Sequence, residues 1–75
     1  MPYNDRYYTK MASDVSRDGM YLELWDRTTE TLALYAFYSD IDGSMEFERY
    51  RSDVPPEVEL WFQEEVRRRL PPIRD

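Results

Sequence analysis

Thr31-Leu32-Ala33-Leu34-Tyr35-Ala36-Phe37-Tyr38-Ser39-Asp40-Ile41-Asp42-Gly43-Ser44-Met45-Glu46-Phe47-Glu48 is the stretch that decides the fold. Its first part is apolar on both sides of an extended chain, which predicts a central strand over 31–39. Asp42-Gly43, flanked by strand-like residues, is a strong hairpin signal. Beyond it Met45 and Phe47 alternate with Glu46, Glu48 and Tyr50, which predicts a strand over 44–51. A two-residue loop at Asp42-Gly43 sets Tyr38 opposite Phe47 and Asp40 opposite Met45. Directly opposite residues share a face. Leu32, Leu34, Ala36, Tyr38, Met45 and Phe47 then line one side of the sheet.

Working upstream, Asp18-Gly19 releases the chain into a strand over 20–25, where Met20, Leu22 and Leu24 alternate with Tyr21, Glu23 and Trp25. Joining these leucines to the same face needs an odd loop or a bulge after Asp26. An even loop sets Leu24 beside Ala33 and yields no coherent core, so an odd loop is expected. A first extended segment over 6–12 alternates Tyr7, Thr9 and Met11 with Tyr8, Lys10 and Ala12. The sequence leaves open whether it lies at the sheet edge beside the second strand or pairs elsewhere.

Downstream, the spacing predicts a helix over 55–70. Pro55-Pro56 suit a first turn, where a missing N–H matters little. Glu57 and Glu59 suit the positive end of the helix dipole, and Arg67, Arg68 and Arg69 the negative end. Val58, Trp61, Phe62, Val66 and Leu70 form one apolar stripe, and Pro71-Pro72 stops the helix. The expectation is an α+β domain over 1–75, a four-stranded antiparallel meander with one helix packed on one face.

Composition narrows function mostly by exclusion. The chain has 75 residues, no Cys, no His and a formal charge of -6. Without these side chains there is no thiol nucleophile, no zinc–thiolate site and no imidazole for proton transfer. The longest apolar run, Leu32 to Tyr38, falls far short of the roughly 20 residues of a membrane helix. Nothing near Met1 resembles a signal peptide, and a secreted domain this small would normally carry disulfides, so the cytoplasm is the expected compartment. Asp40-Ile41-Asp42-Gly43 looks like part of a calcium loop, but that alignment puts Tyr38 and Arg49 at the anchoring positions. No cofactor or metal is expected. No Gly-rich phosphate loop exists, and an open sheet of this size leaves little room for a pocket, so no enzymatic activity is expected.

Two features remain as candidates. The helix covers one face only, so Tyr21, Trp25, Tyr35, Phe37 and Tyr50 should gather on the other, with Ala33 among them and Glu23, Glu46 and Glu48 at the border. Such a face is either a set of strand formers shielding one another or an interface. The second feature is acidic. From Asp40 to Glu65 nine carboxylates face only Arg49 and Arg51, a local balance of -7. Asp40, Asp42, Glu46, Glu48, Glu57 and Glu64 are its candidate members. A solvated surface explains these charges, and so does docking on a basic partner. Nucleic acid is not an expected ligand, because the charge opposes phosphate and the three consecutive arginines point about 100° apart. The leading expectation is a protein–protein interaction module, a homodimer through the aromatic face or a free strand edge. The alternative is an acidic inhibitor or antidote occupying the basic, nucleic-acid-binding surface of another protein.

Overall fold

Apolar residues on both sides of one strand require neighbours on both sides, and Thr31–Ser39 has them. In the computed structural model, which describes residues 5–70, it is the third of four antiparallel strands. The strands are β1 (Tyr7–Asp14), β2 (Gly19–Asp26), β3 (Thr31–Ser39) and β4 (Met45–Arg49), followed by one helix, α1 (Pro56–Arg69). Their order in the sheet is β1-β2-β3-β4, so β1 lies at the edge beside β2 and the expected meander is formed.

The leucines of β2 and β3 do share a face, but a bulge aligns them, not an odd loop. Asp26 pairs with Thr31 across a four-residue turn, 27–30, in which Glu30 has φ +55°. Further along, Leu24 faces Leu34 while Trp25 faces Leu32, leaving Ala33 as the extra residue. One extra residue reverses which side of the sheet each neighbour occupies. Ala33 is therefore buried in the core and not on the aromatic face, and Leu32 pairs with Trp25 instead of joining Leu34. The Ala33 carbonyl accepts the Tyr50 N–H at 2.9 Å and the Arg51 N–H at 3.3 Å. That convergence turns the chain out of the sheet and ends β4 at Arg49, short of the expected 51.

The β3–β4 register differs by two residues from the expectation. Tyr38 faces Met45, and Ala36 faces Phe47. The loop is 40–43, closed by Gly43 N–H to the Ser39 carbonyl and Ser39 N–H to the Ser44 carbonyl, both at 2.9 Å. Gly43 takes φ +72°, and the Asp42 carboxylate accepts the Ser44 N–H at 3.0 Å. A shift of two keeps every side chain on its face. At the other hairpin, Gly19 is required by crowding: a Cβ there would lie 2.1 Å from the Tyr38 carbonyl oxygen.

Helix α1 crosses the strands. Glu59 in its first turn pairs with Arg49 on β4, and Arg69 in its last turn donates to Thr9 Oγ1 on β1 at 2.9 Å. Val58, Phe62, Val66 and Leu70 are buried against Tyr7, Leu22, Leu24, Leu34 and Ala36. Trp61 is only partly buried at the flank of this core. Helical backbone ends at Leu70, whose N–H caps the Val66 carbonyl. The expected stop at Pro71-Pro72 lies outside the described residues. A helix about 10 Å wide covers only part of strands about 26 Å long. Phe47, expected in the core, is accordingly 53% exposed, and Met11 is 40% exposed. Among the described residues no helix is long and apolar enough to cross a membrane.

Candidate interaction surface

The face away from the helix receives all five expected aromatics, but not as one open patch. Tyr21 and Tyr35 stack with centroids 5.9 Å apart, and Tyr50 meets Tyr35 edge-on at 6.5 Å. Trp25 belongs to a second group near β1. Its Nε1–H donates to Glu23 at 2.9 Å, and Lys10 Nζ stands 4.7 Å above its ring. Arg27 lies over the neighbouring Tyr8 at 4.9 Å. Opposite Tyr21, on the side away from Trp25, Phe37 is 1% exposed. Arg17 covers its ring at 3.9 Å and is itself anchored to Glu46 at 2.9 Å. Each cation–ring contact contributes roughly 0.5–1 kcal/mol and, more to the point here, removes ring surface from water. Burial pushes the Tyr35 phenol above its ordinary value. The sequence reading missed these covering cations, since Arg17 and Arg27 sit in turns whose side chains reach across strands.

The acidic set divides as well. Asp40 and Asp42 stand on the 40–43 loop and Glu46 and Glu48 on the outer side of β4, while Glu57 and Glu64 are exposed on the helix. Hydrogen bonds from Ser44 hold the Asp42 carboxyl below its ordinary value. Partial desolvation and then a hydrogen bond to Glu48 raise the Tyr50 phenol. Other carboxylates have arginine partners: Asp53 with Arg51, Glu59 with Arg49, Glu65 with Arg68.

The least covered of the four strands is β4, an edge strand of five residues. Ser39 and Ser44 form a hydrogen-bonded pair, so the alternation of an antiparallel ladder turns Glu46 and Glu48 backbone groups toward β3. The N–H and C=O of Met45, Phe47 and Arg49 then point outward, along the open edge. Phe47 and Tyr50, each 53% exposed, flank that edge on opposite sides of the sheet. On the helix side a groove of about 410 Å3 runs between β4 and α1, lined by Leu34, Phe47, Arg49, Glu59, Phe62 and Gln63 among others. On the β1 edge Tyr7 is buried and Thr9 is tied to Arg69.

One cluster has no counterpart in the sequence reading. Asp26, with no exposed surface, accepts from Arg6 at 3.1 Å, Arg51 at 2.7 Å and the Thr28 N–H at 2.9 Å. Arg51 continues to Thr29, Thr31 and Asp53. Burial would raise the Asp26 carboxyl, but the hydrogen bonds from Arg6, Arg51 and Thr28 outweigh it and hold it at about 2. This corner ties the chain before β1, the end of β2 and the chain after β4. Both arginines are engaged by these partners, and their contacts fix the three segments to one another. Among the described residues no group of three or more acidic side chains is placed to hold a metal ion. No family model, no curated protein and no solved structure matches this chain.

Proposed function

We propose that this chain is a non-enzymatic protein–protein interaction module working through the open edge of β4 and the side chains beside it. The observation that supports this reading is the pair Phe47 and Tyr50, each 53% exposed, on either side of a strand whose outer edge has no partner among the described residues. Large exposed aromatics on a small domain are characteristic of contact surfaces, and an open strand edge is a common docking device. The carboxylates of the β3–β4 hairpin favour a positively charged partner. The inhibitor-like reading, in which this surface occupies the basic site of another protein, is one form of the same proposal.

Self-association is the second reading, favoured by the Tyr21, Tyr35 and Tyr50 cluster on the outer face. It is weakened at the edge, because antiparallel pairing of two β4 strands opposes glutamates to glutamates in each available register. Affinity capture with the parent, Phe47→Ser/Tyr50→Ser and Glu64→Ala tests the module. A protein retained by the parent and Glu64→Ala, and lost by the double variant, is the expected result. Identical capture by all three contradicts the β4 surface. Light scattering to millimolar concentration tests the dimer, which Tyr35→Glu should abolish if it forms through the outer face.

A further inference from the structure

We propose that β4 accepts, as a fifth strand, an extended segment of a partner protein in which basic and apolar residues alternate. The proposal rests on the interaction-module reading and names the chemistry of the partner at that surface. Outward backbone groups at Met45, Phe47 and Arg49 supply the ladder. Side chains directly opposite one another share a face, so alternate positions of the added segment meet two different environments. Residues opposite Met45 and Phe47 fall on the helix side, beside Phe47 and the groove of about 410 Å3 toward Phe62. That environment takes apolar side chains. Residues opposite Glu46 and Glu48 fall on the outer side and meet carboxylates. Glu46, although paired with Arg17, keeps 48% of its side chain exposed. Arg49 is already engaged by Glu59, so the alternating contact runs from Met45 to Glu48.

Charge also selects against a second copy of this chain. Two antiparallel β4 strands place Glu46 or Glu48 against its own kind, a protection that edge strands commonly carry. The β1 edge does offer Thr9-Lys10-Met11, a short stretch with a basic residue at its centre. However, Lys10 is held over Trp25 and Tyr8, and Thr9 is bonded to Arg69. A β4-to-β1 contact is moreover head-to-tail, which builds rings or open filaments and not a two-fold dimer.

The test uses the full chain, labelled with 15N, and a short amidated peptide of alternating lysine and valine as the probe. Amide hydrogen exchange is followed with and without the peptide, and its affinity is measured at low and high salt. Exchange should slow at Met45 and Phe47, with Glu46 and Glu48 slow from the start. Glu46→Lys/Glu48→Lys should weaken the lysine peptide about tenfold or more and favour a glutamate–valine peptide instead. If that variant fails to fold, the salt dependence of the parent takes its place: affinity must fall as salt rises. Peptide binding with protection on the outer aromatic face, and none at Met45 and Phe47, overturns the edge while sparing the module. Equal affinity for both peptides overturns the charge pattern. Protection of the same amides by protein concentration alone replaces the partner with a second copy and overturns the proposal. Absence of both peptide binding and self-association removes the proposal, and loss of differential capture removes the module reading as well.

Discussion

Two arginine–carboxylate pairs stand near the end of β4, their arginines only two residues apart in the chain, and they do opposite work. At the Asp26 corner the carboxylate is fully buried and no buried side-chain polar atom lacks a partner, so three chain segments are fixed. At the β4 edge, Arg49 and Glu59 join strand to helix with 58% and 23% of their side chains exposed, beside an open groove. The same contrast holds for phenylalanine: Phe62 is 1% exposed, Phe47 53%. Burial, not residue type, separates the part that holds the fold together from the part available to a partner.

The largest expected effect breaks the phenylalanine comparison. Phe62→Ala should cost about 3–5 kcal/mol, a large share of the ~4–11 kcal/mol available to a chain of this length. Phe47→Ala should cost about half of that or less, since the residue is already 53% exposed. Equal losses by denaturant unfolding would place Phe47 in the core.

Asp26→Asn comes next, at about 3 kcal/mol, because it leaves two guanidinium groups facing a neutral amide in a buried site. Acid should expose the same contribution in the parent. The Asp26 carboxyl lies near 2 when folded against 3.8 ordinarily, so the unfolded chain binds the proton first as pH falls. Stability from this group is full above about pH 4 and disappears toward pH 2. The parent should therefore lose more stability over that window than Asp26→Asn, with Asp42 and Asp53, also held low, supplying the remainder. Parallel pH profiles would contradict the role given to Asp26. The smallest effect is Arg49→Ala, which should shift the unfolding midpoint far less than Asp26→Asn, since exposed ion pairs contribute little.

Much of this contrast could be read from the chain, and the unread part has a common cause. The element order, the helix stripe and the side of the sheet taken by Leu22, Leu34 and Met45 follow from periodicity. The bulge at Ala33 does not, because two devices restore the same facing and periodicity does not distinguish them. That one residue moved Ala33 inward, paired Leu32 with Trp25 and set Asp26 opposite Thr31 on the helix side. The five outer aromatics were placed on the right face, yet their covering by Arg17, Lys10 and Arg27 depends on side chains reaching between strands. Phe47 and its groove were missed because helix width, not sequence pattern, decides how much of the face α1 covers.

Native-state amide exchange of the free protein at low concentration tests the open edge most directly. The account predicts alternation along β4, with slow exchange at Glu46 and Glu48, whose amides donate to β3, and fast exchange at Met45, Phe47 and Arg49. Slow exchange at all five amides would show the edge already paired, and fast exchange at all five would show that β4 does not hold. Either result would contradict an open, formed edge.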